Sequence, residues 1–511
     1  LIKQILQKAL QYQEKGDFSS ALEIYSQELS KQNSKEEFVF IFGNSANINF
    51  LQSNYKKAKE LYKQALQIDK NNQLIHFNLG VLYLKLEEFA NSKTHLEYSN
   101  KLNPKHYATK LNLAICYKNL KLYEKAFSLY ADMITSNQND IDTFYNLGNL
   151  YISVEKYDFA VKYYMKVIKQ DQNYYKALYG IGLAYHKILK NKKALTYFDR
   201  ALSIKPDYKD CLFAKSLALL QTGNYKDGWE LYKYRFDAKN PLKKPSYNSR
   251  YYEGEKLEGK TILVQGEQGF GDNIQFCRFL HYLKSAKKVY FAVREPLKKL
   301  MDESFPFVEI CGDKDVLYDV DYYISLIDLP RVLGDVDVFE DIKIPYIKRR
   351  QKAPIIFDKK RFKIGFCWSG NSDHLNNKNR SIPFGYFEKL VDKFDNIYFY
   401  SLQKDNFIEL PKRDNLIDLR DVLDDFSITA SIVKELDLVL SIDSSLSHLS
   451  GALSKNTYLL LPRYREWRWL EKAKTSKWYP SIKIINQHIQ NDWGKVFEKL
   501  EDEICKMITK I

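Results

Sequence analysis

The chain has 511 residues, 45% hydrophobic and 28% charged with 20 Gly and 13 Pro, a balance that supports about three domains and excludes disordered, collagen-like and low-complexity classes. No apolar stretch approaches the roughly 20 residues of a membrane-spanning helix, and the six cysteines (116, 211, 277, 311, 367, 505) form no CxxC pair, which excludes a standard zinc cluster and a disulfide-stapled scaffold and fits a reducing cytoplasm. Lys+Arg 79 against Asp+Glu 64 gives +15, a charge that either favours an anionic partner or coats a lysine-rich surface, while no Arg-rich or RNP-like tract points to nucleic acid.

From the N-terminus a small residue recurs at Ala21, Ala58, Ser92, Ala126, Ala160, Ala194 and Gly228, at intervals of 34 residues after a first of 37. Twelve residues before each stands another: Ala9, Ala46, Gly80, Ala114, Gly148, Gly182 and Ser216. Tyr83, Tyr117, Tyr151 and Tyr185 keep the same register, and Pro104 and Pro206 fall where a helix must stop. Such a period describes antiparallel helix pairs, with small residues where backbones approach and aromatics between units. EKGDF (14–18), KLEEF (85–89), NLKLY (119–123) and QTGNY (221–225) supply the turns.

The pattern resembles tetratricopeptide repeats, seven of them over residues 1–237, stacked as an all-α superhelix. That resemblance implies a groove that holds an extended protein segment, or self-association, without chemistry of its own. His76, His95, His106 and His186 read as packing or surface residues rather than ligands. Leu1 stands where Met would open a chain, which leaves room upstream for further repeats or a targeting segment.

Residues 238–260 are polar, contain Pro241 and Pro245, and read as a linker. From Thr261 short apolar runs alternate with amphipathic segments, the pattern of an α/β fold with parallel strands. TILVQ (261–265) is a strand, and GEQGFGDNIQF (266–276) turns from it into a helix. A glycine turn between strand and helix, with Gly266, Gly269 and Gly271, suits an anion or a closely approaching ligand. GxxGxGD is not the dinucleotide fingerprint, and the second strand, VYFAVREP (289–296), offers Arg294 and Glu295 beyond its end with no acid closing the strand. Asp272 is either a general base facing the ligand or a helix-capping carboxylate.

Further strands are expected at 306–311 and 320–325, and basic, Pro-interrupted 345–360 reads as a hinge. RFKIGFCWSGN (361–371) opens a second half, followed by a polar loop with Asp373, His374, Lys378 and Arg380. Strands at 396–404, 437–442 and 457–462 follow, with Gln403 and Asp443-Ser444-Ser445 at strand ends and a helix from Leu446. The boundaries are 261–350 for the first lobe, 351–490 for the second and 491–511 for a closing amphipathic helix, placed to cross back to the first. In open parallel sheets ligands bind at the carboxyl ends of strands.

GEQGFGDNIQF, GFCWSGN with Arg380-Ser381, SLQ (401–403), LDLVLSIDSSLSHLSGAL (436–453), LLPRYREWRWL (460–470), KWYP (477–480) and Trp493 together resemble the GT-B glycosyltransferases related to glycosyltransferase family 9, the ADP-heptose heptosyltransferases, as fused to tetratricopeptide repeats in bacteria. The resemblance implies a GT-B fold, two Rossmann-like lobes facing a cleft. It also implies an inverting, metal-independent transfer from a nucleotide-sugar, with no cofactor, to a protein hydroxyl (Ser or Thr, flagellin-like by analogy). A glycan or lipid-linked acceptor, or a non-catalytic scaffold, are the alternatives.

By the same resemblance Asp272 is the base, and Ser369, Asn371, Lys378, Arg380, Gln403, Asp443, Ser444, Ser445 and His448 are the donor side. Of these, Asp443 would hold sugar hydroxyls and His448 is the one open to a structural role. Arg463, Arg465 and Arg468 are candidates for phosphate contacts. Lys378 and Arg380 compete for one family position, Glu466 takes the place of the acid before WRW, and Asn486 replaces a family Arg. Trp467, Trp469, Trp478 and Tyr479 fit core packing and ligand stacking equally.

Overall fold

The computed structural model describes residues 2–137, 140–239, 247–267, 269–313, 319–334, 339, 342–358, 360–372, 376–405 and 408–509. The chain divides into two compact units, 1–184 and 185–511. Periodicity ends near 237, whereas compactness divides the chain inside the helix Tyr175–Lys187.

The first unit is helical among its described residues, from Ile2–Glu14 onward. The twelve-residue spacing brings small residues of paired helices together: Ser92 Oγ donates to the Gly80 carbonyl at 2.8 Å. A Cβ on Gly80 would lie 2.6 Å from Leu96 Cγ, and one on Gly148 2.5 Å from the Tyr164 ring. Ala9, Ala21, Ala46, Ala58, Ala114, Ala126 and Ala160 are fully buried. Buried leucines such as Leu79 and Leu150 each contribute about 1.5–3 kcal/mol.

A second 34-residue period lies in the backbone. Ser53, Glu87, Lys121 and Glu155 have φ near +60° (62, 58, 59 and 59°) just past the first helix of each pair. After each, a backbone N–H bonds back across the turn, as Glu88 N does to Tyr83 O at 2.9 Å, which closes orphan carbonyls at the helix end. The histidines pack: His76 Nδ1 lies 2.9 Å from His95 Nδ1, and the His95 ring stacks on Tyr83.

The second unit holds the last repeat helices (Asn191–Ile204, Lys209–Thr222, Tyr225–Tyr232) and two sheets. The first sheet contains β1 (Arg250–Tyr251), β2 (Thr261–Gln265), β3 (Lys288–Val293), β4 (Val308–Gly312) and β5 (Tyr322–Ser325), ordered β1-β5-β2-β3-β4. The second contains β6 (Phe362–Phe366), β7 (Ile397–Ser401), β8 (Leu416–Asp418), β9 (Leu438–Ser441), β10 (Thr457–Leu461) and β11 (Ile482–Asn486), ordered β11-β10-β9-β6-β7-β8. Among the described residues every pairing between these named strands is parallel, with Leu263 opposite Tyr290 and Ile364 opposite Phe399, so each sheet gathers its strand ends along one edge.

One core runs from Leu220 and Trp229 through both sheets to Ile504. Trp229 meets Phe276 and Trp467 edge-on at 5.6 and 5.3 Å, which ties the last repeat into the α/β region. Two differences from the sequence reading stand out. Part of the stretch read as a linker pairs as β1, where Tyr251 accepts a hydrogen bond from Ser325 N at 3.3 Å; Pro241 and Pro245 lie outside the described residues. The closing helix, Gly494–Ile508, does not cross back: Phe497 packs on Tyr386 and Phe387, and Glu501 pairs with Lys393, all beside the second sheet. Its apolar stripe matches that surface. Among the described residues no helix is long and apolar enough to cross a membrane.

Candidate functional site

β2 ends at Gln265, and the turn after it is fastened by protein. Gly266 N donates to Ala292 O at 2.8 Å, and a Cβ there would lie 2.3 Å from Asn273 Oδ1. Glu267 points away from the strand end and pairs with Arg235 at 2.8 Å; Arg235 also meets Asp328 at 2.5 Å and lies under Phe236, 3.9 Å from its ring centre. Burial pushes the Glu267 carboxyl up, against the lowering pull of Arg235. The helix Phe270–Phe276 begins after Gly269, and Asp272 in its first turn accepts from Gly269 N at 2.9 Å through Oδ2. Asp272 thus does perform a helix-end role, with one oxygen.

Its other oxygen, Oδ1, accepts from Arg468 Nη2, and Arg468 Nε donates to Gln275 Oε1 at 2.9 Å. Arg468 comes from the loop after β10, so this ion pair joins the two sheets' loops. Gly271 completes the contact: a Cβ there would lie 2.7 Å from His448 Cδ2 and 3.5 Å from Ser445 Cα.

On the second sheet, Gln403 beyond β7 clamps the loop beyond β6. Its Oε1 accepts from Trp368 N (3.1 Å) and Ser369 N (3.0 Å), and its Nε2 donates to Ser369 O (3.0 Å). Asn377 Oδ1 accepts from Gly370 N, Arg380 Nε and Ser381 Oγ at 3.2, 3.3 and 3.2 Å. Arg380 then crosses the face of Gly370, where a Cβ would lie 2.4 Å from Nη2, and donates to Asp443 O at 2.9 Å. Asp443 and Ser444 follow β9, and Ser444 precedes the helix Ser445–Ala452.

Asp443 is half-buried, and its carboxyl is pushed up to about 6, chiefly by loss of water and then by the Glu466 charge, with Arg468 and Arg380 opposing. His448 is held well below the ordinary histidine range by burial, then by Arg468 and Arg278. Its Nδ1 lies 3.1 Å from Tyr479 Oη and its ring stacks on Trp469, so it is a neutral packing residue. These groups form a chain across the two sheets: Asp272 to Arg468 by direct pairing, Arg468 to Asp443 by charge, and Asp443 to Arg380 by hydrogen bond.

Several expectations change. The space beside Gly266 is filled by Asn273 and the Ala292 carbonyl of β3, and that beside Gly271 by His448 of the facing helix, rather than left open to a ligand. Gln403 holds the loop through its amide, so it positions Ser369 instead of facing outward. Of three arginines, Arg468 alone reaches Asp272. Arg465 donates to the carbonyls of Glu471 and Ala473 in its own loop, and Arg463 is exposed. Lys378 and Asn371 are exposed, and Ser369 Oγ lies 3.1 Å from Ser381 Oγ. Trp467, Trp469, Trp478 and Tyr479 are at most 3% exposed, which decides for core packing. Asp373 and His374 lie outside the described residues.

Four residues carry weight that the sequence reading did not single out: Arg235, Gln275 (inside the glycine-turn motif), Asn377 and Arg278. Arg278, 1% exposed, donates to Gln275 O, Trp478 O and Tyr346 Oη at 2.9–3.2 Å and lies over the Tyr346 and Tyr479 rings. It pins the first sheet's helix to the second sheet's loops. A guanidinium satisfied by carbonyls and rings has no charge signature in sequence.

Tetratricopeptide-repeat family models match residues 46–87, 75–106, 141–174 and 175–208, and these segments are tetratricopeptide repeats. Among curated proteins, "Protein FlbA" of Caulobacter vibrioides is 23% identical over 334 residues, 57% of this chain and 54% of that protein, so the chain spans about half the length of this relative. A tetratricopeptide repeat protein from Parabacteroides merdae is 18% identical with a TM-score of 0.41, covering 45% of this chain and 90% of that one. YrrB, described as a TPR protein with an unusual peptide-binding site, is 23% identical with a TM-score of 0.30 over 35% of this chain and 91% of its own. A MamA fragment from Desulfovibrio magneticus is 16% identical with a TM-score of 0.31, over 33% and 96%.

Proposed function

We propose that the second unit is a glycosyltransferase of the GT-B class, moving a sugar from a nucleotide donor to a protein hydroxyl presented by the repeats. The observation that carries this reading is the meeting of Asp272, beyond β2, with Arg468 from the other sheet, beside Asp443 and Arg380. In this reading Asp272 exchanges Arg468 for the acceptor hydroxyl and takes its proton as the oxygen bonds to the anomeric carbon. The bond from that carbon to the phosphate oxygen breaks, and the nucleotide departs with the electron pair. Arg380, Arg468 and the first N–H groups of the helix Ser445–Ala452 oppose the charge that develops on the leaving phosphate. Transfer to a protein, flagellin-like or other, is the acceptor half of the proposal.

The engagement of both Asp272 oxygens, by Gly269 N and Arg468, favours a second reading in which the α/β region is a non-catalytic scaffold. Calorimetry of the purified chain with ADP-, GDP-, UDP- and CMP-sugars, followed by assay of nucleotide release, separates the two. The transferase reading expects one donor to bind, and turnover to fall by roughly a hundredfold or more in Asp272→Ala. Full turnover in that variant removes Asp272 as the base, and absence of binding and release with every donor leaves the scaffold.

A further inference from the structure

Beside the loop that presents Arg468, a cavity of about 770 Å³ opens between the repeat helix Asn191–Ile204 and residues 470–477. Lys190, Lys192 and Lys193 line the repeat side, and Lys472, Lys474 and Lys477 the other. All six are exposed, and among the described residues none forms an ion pair. The one carboxylate on the lining, Glu471, accepts from Asn191 Nδ2 at 3.0 Å. From these observations we propose that this groove is a docking site for an acidic, extended polypeptide segment. The inference does not need the transferase reading, since it concerns binding alone.

Three features argue for that occupant. Lys190, Lys192 and Lys193 stand at the N-cap and the first turn of their helix, which has no acidic residue there. Cations at that end oppose the helix dipole, so a bound carboxylate relieves repulsion that the free protein carries. Leu189, Leu470 and Ala473 add apolar lining between the lysines, which suits aliphatic side chains between acidic ones. One wall is already extended chain: Lys474 O accepts from Ile484 N at 2.8 Å, and Thr475 bridges Lys483 in antiparallel register. No arginine lines the groove to fork a phosphate.

The groove is rigidly seated. Asn191 Oδ1 lies 2.7 Å from His186 Nδ1, and Asn191 Nδ2 also reaches Gln221 Oε1 at 3.3 Å. Gln221 Nε2 donates to Arg465 O at 2.8 Å, three residues before Arg468. Polar contacts of this kind hold the two walls at fixed separation, so the site is formed before a ligand arrives.

The test is fluorescence anisotropy of the full chain with a labelled Glu/Leu-alternating peptide, a Gln/Leu control peptide, a single-stranded oligonucleotide of matched charge and phosphatidylserine vesicles. The Glu/Leu peptide should bind best and weaken with salt. A variant carrying Lys192→Glu, Lys193→Glu and Lys474→Glu should lose at least about tenfold in affinity. The matched reversal of Lys284, Lys287 and Lys299 should lose little. Circular dichroism of each variant, and a Lys→Gln version of the groove triple, guard against misfolding. Equal binding of the two peptides, or equal loss in both triples, overturns the proposal. So does preferential binding of the oligonucleotide or the vesicles that the groove triple abolishes.

Discussion

Arg235, at the end of the last repeat helices, forms a buried ion pair with Glu267 in the glycine turn, five residues before Asp272. Asp328 takes the other side of the same guanidinium, and Tyr251 Oη and Ser325 Oγ complete the carboxylates' hydrogen bonds. The repeat array therefore does not merely precede the α/β region; its last side chain holds the turn that aims Asp272.

Replacing Arg235 by Met leaves two buried carboxylates facing each other without a cation. Breaking a buried pair by removing one partner costs about 3–5 kcal/mol. All six tryptophans lie at or beyond Trp229, so tryptophan fluorescence in a urea titration of the full chain reads the second unit alone. A clear fall in its midpoint is expected, and an unchanged midpoint would show that the pair does not hold the turn.

Gly271 is required by packing, and that makes a contrast with Gly269. An added Cβ at 271 lies 2.7 Å from His448 Cδ2, whereas one at 269 meets Asp272 Oδ2 at 3.3 Å. Gly269 has φ −85° and ψ 164°, which any residue adopts. Gly271→Ala should therefore destabilise the second unit by about 1–3 kcal/mol, and Gly269→Ala by clearly less. Equal losses in the same fluorescence titration would mean that the His448 contact is not what excludes a side chain at 271.

Much of this architecture is legible in the sequence because it is local. TILVQ (261–265) is bounded by Lys260 and Gly266 and is a strand at those residues; the 34-residue spacing of small residues marks the helix pairs. β8 and β11 escape because they are the edge strands of the second sheet, one only three residues long, and neither runs into a glycine or small-residue turn that would mark its end. The site is different in kind. Asp272 is visible as a carboxylate beside glycines, but Arg468 stands 196 positions away and nothing local links them. Gln403 and Arg278 look like ligand-binding or surface groups by residue type, and only packing shows the carbonyls and amides that hold them.

The left-handed residues of the repeats escape for the opposite reason: they recur every 34 positions but are Ser53, Glu87, Lys121 and Glu155 rather than glycine. A non-glycine residue in that conformation carries about 1–2 kcal/mol of steric cost. Lys121 is exposed, so its replacement by Gly removes the cost without removing a packed side chain. Lys121→Gly should stabilise the first unit by about 1 kcal/mol, less the added freedom of the unfolded chain. Helical circular dichroism on heating checks this. A lower melting temperature would mean that the lysine is not strained there.

Asp443 gives the second unit a pH dependence. Burial first, and Glu466 second, push its carboxyl up to about 6 from the ordinary 3.8. Below about 3.8 folded and unfolded chains both hold the proton, and the residue adds no penalty. As pH rises from there, the unfolded chain gives up a proton that the folded chain keeps, so stability falls until about 6 and stays reduced above it. The full penalty is bounded by about 3 kcal/mol and is smaller for a half-buried group that water still reaches. Asp443→Asn removes it. Its stabilising effect, read by tryptophan fluorescence in urea, should therefore be larger at about pH 8 than at about pH 4. A gain of equal size at both values, or one that grows on acidification, would show that the carboxylate is not held in a poorly solvated place between Glu466 and Arg380.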